Sequence, residues 1–458
     1  MICLCIYKEW YYLFLGIILG IYWTRKYRFP QLKWIICFSL LFMGAMVFVF
    51  PFQNEIKGEV KEVLYDGIIV GNTFIYTSSE DYQLGDLIEA KLIKLDGPKK
   101  AKFNQFDELS YKKGKGVHYF AKAEHIQRVG HHFHLRNKAL IFVENYGQDF
   151  YPYLLLGFKN DESKQISDMA SSLAIVHVFA ISGMHFTLLF EGLKKCLSYV
   201  IDERYGKWIA ILIMSIYALC LEGNVAAWRA YLMMVLKLLG SKNDFQNFGL
   251  VGIFFLLCNP QIFYQMSFIY SFSLYFLVLV TKHLKHSTLY VYLGSMVISL
   301  YFQYELLPLG FLFGLLFSYL ISLLFPLFML DALLFGALGP LCFYVYEGLL
   351  YLMELACDYS FSLIVGKPLM VLVIAFYLSY IYSLHQLDLY GYKRYFLIPI
   401  LLFIGMYMTP YLSPFGYVCM VDVGQGDCFL IAAPFSKSIN VNNHYFYFCA
   451  CSKFPNLI

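Results

Sequence analysis

The chain has 458 residues, of which 60% are hydrophobic, 19% aromatic and only 14% charged. Soluble domains carry about 25% charged residues, so the composition excludes a single soluble globule; at about 20 apolar residues per crossing it leaves room for on the order of ten membrane helices. The net charge of +4 alone does not indicate a polyanionic partner, but the charges are unevenly placed: residues 52–150 hold 14 basic and 14 acidic residues, and the rest of the chain is charge-poor.

Two apolar spans open the sequence, at 10–23 and 34–50, joined by a short loop with Arg25, Lys26, Arg28 and Lys33 and no acid. The basic loop places that connection in the cytoplasm and the segment after Pro51 outside. The first span has its positive charges after it and no small-residue cleavage site, which reads as a retained helix rather than a cleaved leader.

From Phe52 to about Gly130 the pattern changes to short alternating stretches such as Gly58-Glu59-Val60-Lys61-Glu62-Val63-Leu64 and Asp86-Leu87-Ile88-Glu89-Ala90-Lys91-Leu92. Period-two alternation broken by Gly, Asp and Asn predicts an all-β barrel or sandwich, of a size that suits a five-stranded OB-like barrel. A His-rich stretch from His131 leads into a linker helix ending near 150.

Between 150 and 412 about ten apolar spans are expected, near 173–190, 207–221, 225–240, 248–258, 262–280, 288–304, 306–325, 327–346, 368–384 and 395–411. Counted from an outer start, the loops with Lys194, Lys195, Arg204 and Lys207, then Lys242, then Lys282 and Lys285, then Lys393 and Arg394 all fall inside, and the tail from 412 returns outside. An outer stretch at 347–367, with Glu347, Glu354 and Asp358 at helical spacing, reads as amphipathic and interfacial. The fold class is thus a polytopic α-helical membrane protein with an extracellular all-β (OB-like) domain. Twelve cysteines do not suggest a disulfide framework, because none lies in the polar stretch 52–150 and most sit in apolar runs.

The densest polar group at membrane depth is Val176-His177-Val178-Phe179-Ala180-Ile181-Ser182-Gly183-Met184-His185. Ionisable residues there face a cavity or a path by default, the plainer reading being two satisfied bundle histidines. Ser182-Gly183 invites a break or re-entrant turn. Glu222, Asn224 and Arg229 surround a hairpin end, where Arg229 and Glu222 form either a structural ion pair or a substrate contact. Gln303 with Glu305, and Gln265 with Ser267 after Pro260, are weaker polar pairs that also serve as helix glue.

In the outer segment Lys99, Lys100, Lys102, Lys112, Lys113 and Lys115 are interleaved with Phe103, Phe106, Tyr111 and Tyr119. Cations for phosphates and rings for base stacking are what a single-strand groove uses; balanced acids in the same segment leave a solvated face as the alternative. No Walker-type phosphate loop, no His-Glu-x-x-His and no Cys-x-x-Cys occurs, so no cofactor and no metal site is expected.

Five stretches together resemble one family. Ala180-Ile181-Ser182-Gly183-Met184-His185, Leu257-Cys258-Asn259-Pro260 with Gln265-Met266-Ser267-Phe268, Ala227-Trp228-Arg229-Ala230, Phe103-Asn104-Gln105-Phe106-Asp107 with Lys113-Gly114-Lys115-Gly116-Val117, and Val421-Asp422-Val423-Gly424-Gln425-Gly426-Asp427-Cys428 resemble, in family order, motifs of the ComEC family of bacterial competence proteins. The resemblance implies passage of single-stranded DNA through the cytoplasmic membrane during natural transformation. It divides the chain into two N-terminal helices at 1–51, the OB-like domain at 52–130, the linker helix at 131–150, a multi-pass competence domain at 151–411 and, at 412–458, a truncated α/β stub of a metallo-β-lactamase-like domain. His177, Ser182, Gly183, His185, Glu222 and Arg229 become path candidates; Lys99, Lys100, Lys102, Lys112, Lys113, Phe103 and Tyr111 become outer DNA contacts; Asp422, Gly424, Gln425, Gly426 and Asp427 mark the start of the last domain. Implied partners are single-stranded DNA, membrane lipid, an extracellular DNA receptor, a cytoplasmic helicase-like motor and a possible second copy.

Only about forty residues follow Phe415, and no His-x-His-x-Asp-His occurs, so no metal-dependent nuclease activity is expected from this chain. A small-solute or lipid-linked-substrate transporter, or an inactive remnant, are the competing expectations; the inverted repeats of the former are not visible.

Overall fold

The computed structural model describes residues 52–78, 82–98, 107–132, 134–158, 163–179, 181–221, 223–365 and 368–408, and three strands at 417–422, 427–432 and 438–442. The two spans expected at 10–23 and 34–50 lie outside these residues. By contacts, the described residues up to Ala139 together with Ala218–Ile269 form one compact unit, and Leu140–Tyr217 with the residues from Tyr270 onward form a second.

In the first unit, β1 (Glu55–Leu64), β2 (Gly67–Val70), β3 (Thr73–Tyr76), β4 (Asp86–Leu95) and β5 (Tyr119–His131) close a barrel in the order β1-β2-β3-β5-β4. Only β3 and β5 pair parallel. The alternation read from the sequence is the cause of closure: along β4, Ile88, Ala90 and Leu92 point inward to meet Val60, Ile68, Val70, Ile75 and Ala121. Asp86 begins that strand fully buried, with its carboxylate 2.8 Å from both Arg128 Nη2 and His131 Nδ1 and accepting from the Gln83 amide. Arg128 and His131 on β5 fix where β4 and β5 start to pair.

Helix α1 (Glu108–Gly114) lies between β4 and β5. Asp107 caps it, accepting from Ser110 N at 3.1 Å and Ser110 Oγ at 2.6 Å. The helix delivers Lys112, 2% exposed, to one end of the barrel, where its Nζ lies 2.5 Å from both Asp66 Oδ2 and Glu108 Oε1 and 3.6 Å from the centre of the Phe74 ring. Tyr76 stands 4.8 Å away on the same ammonium. Burial works against the charge, but the two carboxylates outweigh it and hold the Lys112 pKa above its ordinary value. The lysine is a plug for the barrel end, with its charge answered inside the fold.

The remaining helices are α2 (Leu135–Tyr146), α3 (Tyr151–Leu156), α4 (Ser163–Ser172), α5 (Val176–Phe179), α6 (Gly183–Ser198), α7 (Glu203–Cys220), α8 (Val225–Leu238), α9 (Asp244–Cys258), α10 (Met266–Thr281), α11 (Ser287–Gln303), α12 (Gly310–Leu333), α13 (Gly339–Tyr359), α14 (Met370–Tyr390) and α15 (Leu397–Met408). Among the described residues four stretches are long and apolar enough to cross a membrane: Val176–Ser198, Gly310–Leu333, Gly339–Tyr359 and Met370–Tyr390. Shorter apolar helices lie at Asp244–Cys258, Met266–Thr281 and Arg394–Met408. A core of Leu277, Val297, Leu300, Val373, Phe376, Tyr380 and Leu384 ties α10, α11 and α14 together. A two-residue ladder between β6 (Glu305–Leu306) and β7 (Leu363–Ile364) adds a backbone clip, extended by Val365 N donating to Tyr304 O.

The expected break at 326–327 is corrected. Helix α12 runs through Pro326 to Leu333, and the chain turns at 334–338 instead, where Phe335 and Gly336 both take left-handed backbone angles, φ 57° and 78°. Gly336 is required there twice over, since a Cβ would also lie 2.6 Å from the Tyr146 carbonyl oxygen. Consequently Glu347, Glu354 and Asp358 belong to the membrane-length helix α13 and not to an outer interfacial loop. Past α15, β8 (Tyr417–Asp422), β9 (Asp427–Ala432) and β10 (Ser438–Asn442) form an antiparallel sheet in the order β10-β9-β8.

Replacing Lys112 by Ala strands two carboxylates and opens the ring cage. Because Asp66 and Glu108 are more than a third exposed, the loss is expected at about 1–3 kcal/mol, with Lys112→Met, which keeps the apolar stem, costing less. Thermal unfolding of the full chain in detergent measures both. The raised pKa also sets a sign: the contribution is complete below the ordinary lysine value of about 10.4 and is lost as pH rises through the folded value, a slope that the Met variant lacks.

Candidate functional site

The candidates expected in the barrel segment separate by burial. Lys112 is enclosed as described and does not present its ammonium to solvent, which corrects its assignment as an outer DNA contact. Lys113 is half-buried, and its charge, after burial, is the second cause that lowers the pKa of His118. Tyr111 is 40% exposed beneath Lys115, whose Nζ sits 5.0 Å from the ring centre while also pairing with Glu62. Lys99, Lys100, Lys102 and Phe103 lie outside the described residues.

A cation–aromatic group not anticipated from the sequence lies on the barrel wall. Exposed Lys94 of β4 stands 5.3 Å over Tyr119 and 5.9 Å over Phe52, whose rings meet edge to face at 5.5 Å. Barrel closure assembles it from residues far apart in the chain, so no local motif announces it.

The same unit joins the barrel to a turn of the helical segment. The carbonyl of Gly114, the last residue of α1, accepts from Asn259 Nδ2 at 2.6 Å and Gln265 Nε2 at 2.9 Å. Asn259 ends α9 in an extended conformation and its Oδ1 also accepts from Gln261 N; the chain then makes one 3₁₀ turn, Ile262–Tyr264, before α10. Space is tight: a Cβ on Gly114 would lie 2.9 Å from Gln265 Cγ and 3.2 Å from Gln265 N. Two of the stretches that resemble the competence family, Lys113-Gly114-Lys115-Gly116 and Asn259-Pro260 with Gln265, are thus bonded to each other.

In the second unit the expected break at Ser182-Gly183 is present. Ser182 is extended (φ −107°, ψ 172°) and starts α6, accepting from Met184 N at 3.3 Å, while its own N–H donates to His185 Nδ1 at 3.0 Å. This reciprocal cap makes His185 a helix-start residue, 1% exposed, with its ring 4.5 Å from that of Phe325. His177 is exposed on the separate helix α5, so the two histidines do not share a continuous helix face. In the first unit, Arg229 is buried one turn into α8, whose N-cap is Asn224, accepting from Ala227 N at 3.1 Å. Glu222 lies outside the described residues. Asp422 and Asp427 face each other across the β8–β9 register; Gly424, Gln425 and Gly426 between them are also outside the described residues.

Asp331 is the membrane-domain carboxylate that sequence reasoning passed over. It is fully buried, accepting from Tyr151 Oη at 2.5 Å and from Leu338 N at 2.6 Å, and so ties α3 to the turn between α12 and α13. A lone acid in a 24-residue apolar helix was the available signal. On α13 the face opposite to buried Cys342, Tyr346, Leu349 and Met353 exposes Glu347, Glu354 and Asp358, with Gln165 of α4 donating to Glu354 at 3.2 Å. Among the described residues no group of three or more His, Cys, Asp or Glu could hold a metal ion.

Gly114→Ala is expected to push α1 off the 259–265 turn, and Asn259→Ala with Gln265→Ala to remove both donors while sparing the barrel. Protease cleavage in the 107–118 segment of the full chain in detergent should accelerate in both variants at an unchanged barrel melting point; an unchanged cleavage rate would mean the contact holds nothing.

The helical region carries the comparison with known proteins. A relative, the uncharacterized protein MG316 of Mycoplasma genitalium, is 24% identical over 287 residues, covering 59% of this chain and 77% of that protein. No solved structure matches. Residues 154–389 match the model of the Competence protein family, just over half of the chain and including the Ser182 cap, Arg229, the Asn259–Gln265 turn and Asp331. The chain is a multi-pass membrane protein that belongs to the Competence protein family.

Proposed function

We propose that the chain conducts single-stranded DNA across the cytoplasmic membrane during natural transformation. The observation that carries this reading is the family match over 154–389, in a body of apolar helices interrupted by polar breaks. A polyanion needs a wet path lined by dipoles or cations. The break before α6 supplies non-helical backbone at depth, which membranes tolerate only inside protein or against water, and the start of a 16-residue helix with its positive dipole end. His177, exposed beside it, adds a polar group. The acidic face of α13 would repel phosphates, so in this reading the strand runs past α5 and α6 and away from Glu347, Glu354 and Asp358.

The outer barrel would receive DNA in the manner of an OB-type domain, using Lys94 with Phe52 and Tyr119, and Tyr111 with Lys115, as rings and cations for a single strand. The N-terminus, the barrel and the tail would lie outside. With no Walker loop in the sequence, pulling would come from a separate cytoplasmic motor, and an extracellular receptor would supply the DNA. The chain would conduct and not cut: it carries no His-x-His-x-Asp-His to hold two metals for hydrolysis.

Deleting the gene should abolish entry of labelled DNA into the cytosol and leave surface-bound DNA intact; normal entry in the deletion strain refutes the proposal. In the complemented strain, Ser182→Ala removes the α6 cap and His185→Ala its reciprocal partner. Each should lower uptake several-fold at matched protein levels, the cap loss being worth about 1 kcal/mol of helix stability. Purified protein should cleave no DNA with or without a chelator.

A further inference from the structure

Helix α14 stops at Gly391, in a left-handed conformation (φ 69°), and α15 begins six residues later. The connection packs aromatic rings and a guanidinium together in the open. Tyr390 and Tyr392 stack at 5.6 Å with 21° between their planes. The Arg394 guanidinium sits 4.9 Å from the Tyr392 ring and 5.2 Å from Tyr395, and donates from Nη2 to Tyr395 Oη at 3.5 Å. Tyr395 is braced in turn by Tyr382, edge to face at 5.5 Å, and its carbonyl accepts from Ser383 Oγ.

Tyr390 is nonetheless 61% exposed, Tyr392 46% and Tyr382 50%. Lys393 and Arg394 are exposed and, among the described residues, make no ion pair, although exposed Asp388 lies a turn and a half back on α14. Two cations without counter-charges beside preset ring faces form a surface of definite chemistry.

A second basic loop reaches the same end of the helix group. Tyr290, just after the loop with Lys282 and Lys285, stacks on Phe396 at 5.7 Å, and its carbonyl accepts from Tyr380 Oη at 2.6 Å. Leu284 packs into the same core as Phe396.

We infer that the 390–395 connection is a landing platform for single-stranded nucleic acid, with nucleobases stacking on Tyr390 and Tyr392 and phosphates meeting Lys393 and Arg394. The inference rests on the DNA-conduction reading and adds to it a contact at the end of the bundle that the basic loops place on the cytoplasmic side, where an emerging strand leaves. Rings give sequence-tolerant stacking and the cations give salt-dependent attraction, the combination that single-strand grooves use. Isolated interfacial tyrosines meeting lipid headgroups need neither the ring pairing nor the guanidinium held in register against it.

The test uses the full chain in nanodiscs of phosphatidylethanolamine and phosphatidylglycerol, with a short oligothymidylate carrying 5-iodouracil. In the native protein, irradiation should cross-link the oligonucleotide to the 390–395 segment. Tyr390→Leu with Tyr392→Leu should weaken binding about tenfold, and Tyr392→Phe, which keeps the ring, should bind as the native protein does. Lys393→Gln with Arg394→Gln should flatten the dependence of log K on log salt by about 1.4, at about 0.7 for each lost phosphate contact on a single strand. Native protein that binds the oligonucleotide while cross-linking only elsewhere, with both double variants unchanged, overturns the platform and leaves the conduction reading standing. Loss of co-purifying phosphatidylglycerol in the variants, with oligonucleotide binding intact, assigns the surface to lipid and also overturns it. Normal DNA entry in the deletion strain removes the reading on which both rest.

Discussion

Polar groups that leave water must be answered by other polar groups, and in a chain with so few charges that requirement governs each element in turn. Asp331 is tolerable at full burial because Tyr151 and the Leu338 amide both donate to it, and the turn between α12 and α13 takes its shape from that pairing. Lys112 is tolerable for the same reason, with two carboxylates and a ring face around it. The broken backbone before α6 recruits its own partners from Ser182 and His185. None of these groups is surplus: each sits where two pieces of chain must meet at a fixed angle, so satisfying the polar atom and fixing the geometry are the same event.

This constraint also separates polar residues that hold the fold from those that remain available. His185 has its Nδ1 committed to the Ser182 amide, and Lys112 is fully engaged inside the barrel. By contrast Lys94 and Arg394 lie over rings without an ion pair among the described residues, at two different places in the chain. Cations held by ring faces keep most of their donors free, so they attract phosphate without first having to surrender a carboxylate. On the proposed reading, such weak, repeated contacts suit a flexible polyanion better than one tight site, since binding must be strong enough to capture the strand and weak enough to release it.

Local rules made part of this legible. The alternation in 58–64 and 86–92 specified strands because each strand has one inward face, and Ser182-Gly183 specified a break because a serine cap and a glycine next to it favour a helix start. The division expected at 326–327 does not form, because a proline inside a long apolar helix lacks one hydrogen bond yet does not have to end the helix, whereas the left-handed pair Phe335-Gly336 does. The burial of Lys112 was invisible because it depends on barrel closure bringing Asp66 and Phe74 to a helix forty residues later. The aromatic group around Arg394 was equally hidden: basic loops register as charge, and only the fold shows that the tyrosines beside them stack. The resemblance in five short stretches reached further than periodicity, and the bond between Gly114 and the Asn259–Gln265 turn gives two of those stretches a shared physical reason to keep their residues.

That bond has an evolutionary side. On the barrel, the acceptor is a main-chain oxygen, which no substitution can delete. A point mutation at position 114 can only crowd it, so selection on the barrel's half of the joint reduces to keeping one residue small. The exposed positions of the barrel can then vary without touching the joint, while Asn259 and Gln265 supply two side-chain donors to it. A joint built in this asymmetric way lets the barrel's sequence vary while its attachment to the 259–265 turn is kept.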